Sequence, residues 1–265
     1  MAKDDVRNAD PDLIARRASS FGAQAAAYAE HRPDYPETAV RWALAPALEA
    51  PRALDVLDLG AGTGKLSAVV AALGHRVTAV EPDPDMLAEL RAYAPSVTAR
   101  QGGAEDIPLP DASVDAVIVG QAFHWFDQER ALPEIARVLR PGGVLGALWN
   151  TDDDRVEWIA GLGAVARSRV SFVDWSQNRL IDPHPAYSPV ERADFAHRQP
   201  RTIDSLLATI ATHSRLLVLE PADRERRLTE VADYLRSRPE TAGGAFDLEI
   251  VTRVQRCKRR ANKGS

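Results

Sequence analysis

Residues 54–65 read Leu-Asp-Val-Leu-Asp-Leu-Gly-Ala-Gly-Thr-Gly-Lys, and they constrain the fold of this chain more than any other stretch. An apolar, strand-like run carries an acid, Asp58, near its end, and glycines then fall at alternate positions, Gly60, Gly62 and Gly64. A helix-forming run, Leu66 to Leu73, follows at once. Strand, glycine turn and helix in succession are the geometry in which a backbone approaches a ligand closely and presents free N–H groups to it. The spacing excludes two common ligands of that geometry. A phosphate loop requires G-x-x-x-x-G-K-[ST], whereas Leu59 stands at the first glycine position and Leu66 follows Lys65. The dinucleotide fingerprint G-x-G-x-x-G fails because Lys65 replaces its third glycine.

The same alternation continues downstream. Strands are predicted at 53–59, 76–80, 97–101, 115–119 and 144–149, with helices from the glycine turn to Leu73, at 84–94 and at 131–139. Gly74 reads as a helix C-cap, and Arg140-Pro141-Gly142-Gly143 as the terminator of the third of these helices. Strands alternating with helices specify an α/β fold, a Rossmann-like, doubly wound and mostly parallel sheet. Upstream, residues 19–30 have helical composition, and Pro36 suits the first turn of a helix running to about Leu48. After Asn150 the rhythm breaks, and late strands are predicted at 194–202 and 246–256, with helices near 203–212 and 221–237. The chain therefore divides into an N-terminal helical segment covering the cofactor site (1–50), a ligand-binding core (51–150), an insertion capping the site (151–190) and C-terminal strands and helices completing the sheet (191–265).

Composition narrows the functional classes. The 265 residues carry a net charge of −5, which argues against a dedicated nucleic-acid binder. The run Arg253, Arg256, Lys258, Arg259, Arg260 and Lys263 reads as a solvated last strand and frayed terminus rather than a binding patch. Cys257 is the only cysteine, and the six histidines show no ligand pairing at helical spacing, so no metal site is expected. The N-terminus lacks the apolar run of a signal peptide and no segment approaches membrane-spanning length, so a cytoplasmic protein without a membrane partner is expected. The sequence does not fix the oligomeric state.

Ligands of open α/β sheets bind at the carboxyl ends of the strands, near the switch in strand order. Glu81-Pro82 ends the second predicted strand. An acid there accepts hydrogen bonds from ribose hydroxyls; its alternative role, capping the next helix, is already served by Asp83 and Asp85. Gly120-Gln121-Ala122-Phe123-His124-Trp125-Phe126 follows the fourth strand, where aromatics can wall off a cofactor or stack on a planar substrate.

What remains of the glycine stretch, acid-x-G-x-G-x-G, resembles motif I of the class I S-adenosylmethionine (SAM) dependent methyltransferases. Glu81-Pro82, Ala104-Glu105-Asp106-Ile107-Pro108, His124-Trp125-Phe126 and Leu139-Arg140-Pro141-Gly142-Gly143 extend that resemblance to the small-molecule, type 11 group over about residues 50–150. The segment Phe21 to Pro36, with Tyr28 and Arg32-Pro33-Asp34-Tyr35-Pro36, is more loosely similar to the trans-aconitate methyltransferase-like branch. The resemblance implies SAM as cofactor. It puts Gly60, Ala61, Gly62 and Gly64 against the methionine part, Asp58 on the amino group and Glu81 on the ribose hydroxyls. It further puts Ala104 and Glu105 on the adenine and Gln121 at the rim near the sulfonium. Tyr28 and Arg32 would close over the methionine carboxylate, since a guanidinium suits a carboxylate bidentately; Arg32 reads equally well as a pin for the proline turn.

Methyl transfer from a sulfonium is an in-line displacement, in which the protein chiefly aligns reactants and excludes water. The expected acceptor is a small molecule. A carboxylate needs no general base; for a phenol, amine or carbon acid His124 is the candidate base, and packing within the aromatic cluster is its alternative role. Tyr35, His124, Trp125, Trp149 and Asn150, with Arg155, Trp158, Trp175 and Arg179 of the insertion, are the candidate acceptor-lining residues. Two other functions share these motifs. A nucleic-acid or protein methyltransferase is disfavoured by the acidic balance, and a SAM-binding sensor or catalytically silent partner protein needs the same glycines.

Overall fold

The structure is a computed structural model that describes residues 34–47, 52–166, 180–211, 216 and 219–261. The chain forms a seven-stranded sheet from β1 (Asp55–Leu59), β2 (Arg76–Glu81), β3 (Thr98–Gln101), β4 (Val114–Gly120), β5 (Leu139–Asp152), β6 (Glu191–Thr202) and β7 (Ala245–Lys258). Their spatial order is β3-β2-β1-β4-β5-β7-β6. The first five pair in parallel. Bonds from Gly142 to Arg259 and from Asp153 to Glu249 run in opposite senses along β5 and β7, which makes that pair antiparallel. A Rossmann-like, mostly parallel sheet is therefore the fold, as the alternation of elements predicts. Strand order reverses at β1, which lies between β2 and β4, so the ends of β1 and β4 flank the topological switch point.

Local chemistry accounts for the elements around that point. All but the last residue of β4 are buried, as a central parallel strand requires. Helix α1 (Glu37–Leu44) is followed by a short 3-10 turn, Ala45–Ala47; Pro36 stands in extended conformation as its N-cap, one position outside the first turn expected for it. Helix α2 (Lys65–Ala72) starts from Gly64 and stops before Gly74, whose φ of 88° is the left-handed conformation of a C-terminal cap. Helix α3 (Pro84–Tyr93) is capped by Asp83, which accepts from the amides of Asp85 and Met86.

Helix α4 (Gln128–Val138) begins earlier than its composition suggests, at an Asp127 cap. It ends at Val138 because Leu139 is already extended and pairs with Val114 of β4. Arg140-Pro141-Gly142-Gly143 is therefore no helix terminator. It bulges out of β5, whose register on β4 jumps from Leu139 to Val144, and Gly142 takes a φ of 79° there.

The chain divides into two compact units. Of the described residues, one comprises those within 34–150, 180–195 and 252–261; the other comprises those within 151–166 and 196–251. The segment 151–190, read from sequence as one insertion, is divided between them. The first unit has a core of Val40, Leu44, Leu54, Val56, Leu66, Val70, Leu90, Ile118 and Leu148, among others. In the second, α5 (Glu157–Ala166), α6 (Ile203–Ala211) and α7 (Pro221–Arg236) supply a core of Trp158, Leu162, Leu206, Ile210, Val231 and Leu235, with Phe246 and Leu248 of β7. No described helix is long and apolar enough to cross a membrane.

The last strand is not solvated. β7 lies between β5 and β6, and its basic residues are engaged. The Arg256 guanidinium lies 3.7 Å from the Trp42 ring centroid and pairs with Glu191 at 2.6 Å. Arg259 donates to the Leu139 carbonyl, and Arg260 to that of Tyr187 at 2.7 Å. Stacking of Arg256 on Trp42, with its head group committed to Glu191, lets a basic residue occupy an interior strand.

Candidate active site

The glycine turn leaves β1 at Gly60, and the left-handed φ values of Gly60, Gly62 and Gly64 (69°, 55° and 85°) are what alternate glycines make possible. The three serve different ends. A Cβ on Gly60 would lie 2.7 Å from the Ala122 Cβ, and one on Gly64 2.8 Å from Leu90, so both are needed for packing. A Cβ on Gly62 would meet nothing within 4 Å, which makes Gly62 the open face of the turn.

Among the described residues, four amides of the turn are engaged within the protein, whereas that of Thr63 is not. Gly60 and Ala61 donate to the Val80 carbonyl at 2.8 and 3.2 Å, and Gly64 to that of Ala61 at 3.0 Å. Gly62 donates to Glu81 Oε2 at 2.9 Å. The turn therefore contributes close approach, with carboxylates beside it as hydrogen-bond acceptors.

Two carboxylates stand at this point. Asp58 is fully buried; its Oδ2 accepts from Ser67 Oγ at 2.6 Å, while Oδ1 has no hydrogen-bond partner. Burial pushes the Asp58 carboxyl up to about 7, against the bonds from Ser67. Glu81 is also buried, and its carboxyl is raised chiefly by desolvation, although the amides of Asp83 and Gly62 both donate to it. The helix-capping role belongs to Asp83. Glu81 instead ties the end of β2 to the glycine turn. Ser67, one helical turn into α2, carries no motif; only the fold shows that it holds Asp58.

The neighbouring strand ends complete the rim. Pro82 is exposed, with its carbonyl accepting from Gln101 Nε2. Ala104 is buried, and Glu105 Oε1 accepts from the Asp127 amide at 2.9 Å, joining the loop after β3 to the cap of α4. Beyond β4, Gln121 is a non-glycine residue at φ 59°. Its Nε2 donates to the Asn150 carbonyl at 3.1 Å, and its Oε1 is buried without a partner.

Of the expected acceptor-lining residues, His124 and Trp125 lie in a 3-10 turn, Phe123–Trp125. The His124 ring is 4.4 Å from Trp125 and 4.9 Å from Trp149, the latter edge-on. The three rings form one aromatic wall with His124 exposed on it. Asn150 is buried; Thr252 Oγ1 donates to its Oδ1 at 2.5 Å and its Nδ2 donates to the Asp34 carbonyl at 3.2 Å. Tyr35 packs in the core beside Gly120.

Two insertion residues depart from expectation. Trp158 is buried in the helical core of the second unit, edge-on to Phe246, and does not line a pocket. The Arg155 guanidinium pairs with Asp153. Tyr28, Arg32, Trp175 and Arg179 lie outside the described residues. Among the described residues no cluster of side chains could hold a metal ion.

A mostly parallel sheet with a glycine turn at its switch point and an acid at the end of the next strand defines the class I methyltransferase architecture. Comparison with known proteins agrees. Residues 57–147 match the family model for a type 11 methyltransferase domain. The chain is 42% identical over 223 residues to an uncharacterized methyltransferase of Mycobacterium tuberculosis, covering 84% of this chain and 88% of the relative. It is 42% identical over 237 residues to another from Schizosaccharomyces pombe, covering 88% and 94%. Its structure resembles that of a protein from Anaeromyxobacter dehalogenans assigned as a type II methyltransferase, with a TM-score of 0.62 and 31% identity over 86% of this chain and 97% of that one. The chain belongs to this methyltransferase family.

Proposed function

We propose that this protein transfers a methyl group from SAM to a small-molecule acceptor. The observation that carries the reading is the pairing of Gly62, open to a ligand, with two buried carboxylates at the switch point, Asp58 retaining an unpartnered oxygen. Those groups fit the donors of SAM. The Asp58 Oδ1 would accept from the ammonium, and Glu81 would accept from the ribose hydroxyls through lone pairs its present partners leave over. Ala104 and Glu105 would bound the adenine, with Gln121 at the rim. SAM supplies an activated methyl on a positively charged sulfur; the protein's part is to orient an acceptor toward it and exclude water. The wall of His124, Trp125 and Trp149 supports a small, flat acceptor, and the net charge of −5 weighs against a nucleic acid.

Calorimetric titration of SAM into wild type and Glu81→Ala tests the cofactor assignment. Loss of charge-assisted hydrogen bonds to two hydroxyls should weaken binding at least tenfold, about 1.4 kcal/mol or more. Unchanged affinity would remove Glu81 from the site. Incubation with methyl-labelled SAM and a metabolite extract tests the acceptor class: label confined to protein or RNA contradicts a small-molecule acceptor, and tight binding without turnover would make the protein a SAM sensor.

A further inference from the structure

Gln121 combines three observations. It adopts left-handed backbone at φ 59° without being glycine, asparagine or aspartate, a conformation retained only where the surroundings impose it. Its amide is anchored on one side, Nε2 donating to the Asn150 carbonyl at 3.1 Å. On the other side its Oε1 is buried with no partner. The amide cannot be turned over. The anchor is a carbonyl, which only accepts, so the NH2 must face it and the oxygen must face away.

That anchor is itself held. Thr252 is fully buried and donates to Asn150 Oδ1, and Asn150 Nδ2 donates to the Asp34 carbonyl, so a strand end, a neighbouring strand and the segment before α1 fix one amide oxygen. A buried acceptor without a donor is destabilising, a cost that a ligand bearing a hydrogen removes. The place also identifies which ligand. Asp58, at the end of β1, is the acceptor for the cofactor's ammonium. The anchor of Gln121, Asn150, instead follows Trp149 of the aromatic wall.

We infer that Gln121 Oε1 is a specificity-determining group that selects a methyl acceptor presenting an O–H or N–H donor, such as a phenol, an alcohol or an amine. This rests on the reading of the site as a SAM-dependent methyltransferase. A carboxylate, ionised at neutral pH, would place oxygen lone pairs against the fixed amide oxygen and is selected against.

The test uses the full chain and methyl-labelled SAM with an acceptor panel of phenols, alcohols, primary amines and simple carboxylates. Mild alkali sorts the products, because methyl esters release volatile methanol whereas methyl ethers and methylamines do not. We expect alkali-stable label. Gln121→Met keeps the side-chain length and removes the acceptor oxygen, and should raise the acceptor KM about tenfold, with a smaller loss of SAM affinity. Gln121→Asn, which tolerates the left-handed backbone, should show the same split and guards against a variant that fails to fold. Label recovered only as methyl ester, or variants that lose SAM affinity with acceptor KM unchanged, would overturn the inference and leave methyl transfer standing. Failure of the wild type to bind SAM would overturn both.

Discussion

On the proposed reading, Asp58 would tie cofactor binding to pH through a single buried group. Its carboxyl is raised to about 7 by burial, so it is largely protonated at pH 6 and largely ionised at pH 8. Pairing with an ammonium requires the ionised form. SAM affinity is therefore expected to fall roughly tenfold from pH 7.5 to pH 6, with proton release on binding. Calorimetry in buffers of different ionisation enthalpy measures both, and Asp58→Asn should bind weakly with a flat profile. Gly60 is a second test at this scale. Gly60→Ala meets a left-handed φ and a Cβ contact at 2.7 Å, and should cost about 2–4 kcal/mol in urea unfolding. Gly62→Ala meets open space and should cost only about 1–2 kcal/mol, the backbone term alone. The spacing of the glycines marked all three as necessary. It could not separate packing glycines from the open one, because the partners Ala122 and Leu90 are distant in sequence.

Among the elements, the starts of β1, β4 and β5 are locked by charge. Arg52 forks onto Asp115 with both bonds at 2.9 Å, Arg140 reaches Asp115 at 2.8 Å and Asp55 at 3.0 Å, and the Asp55 amide donates to Asp115. Burial works to raise the Asp115 carboxyl, but the bonds from Arg52, Asp55 and Arg140 outweigh it and hold the group well below the usual carboxylate range. A depressed folded value means this contribution is complete above about pH 4 and is lost as pH falls through the depressed value. Asp115→Asn is expected to lower unfolding free energy by about 1–3 kcal/mol at pH 7, discounted because both arginines are more than a third exposed. The difference from wild type should shrink on acidification below pH 4; a constant difference would show that the charge plays no part. Nothing in the spacing of residues 52, 55, 115 and 140 announces this cluster. From sequence alone Arg140 reads as part of a helix terminator, because Pro-Gly-Gly stops helices and bulges strands with the same backbone chemistry.

On the scale of the molecule, the acid-rich composition conceals a basic strand inside the sheet. Arg256, stacked on Trp42 and paired with Glu191, couples β7 to α1 and to the start of β6. Arg256→Ala should lower stability by about 1–2 kcal/mol, through lost stacking and stem packing more than through the exposed ion pair. Arg256→Lys should recover only part, since an ammonium neither stacks nor forks; full recovery in thermal or urea unfolding would contradict the stacking argument.

By itself the sequence determined the alternation of strands and helices, hence the parallel sheet, and the positions of Asp58, Gly60, Gly62, Gly64 and Glu81 along it. These are local quantities: periodicity, left-handed turns and acids at strand ends are written within a few residues of one another. Tertiary structure alone decided that β7 enters the sheet between β5 and β6, that the amides of Gly60, Ala61 and Gly62 bond to Val80 and Glu81, and that Trp158 belongs to a helical core. It also decided that Thr252, Asn150 and Gln121 converge on one unsatisfied oxygen. Each of those facts joins residues far apart in the chain, where pairing depends on which surfaces are buried together and leaves no periodic trace to read.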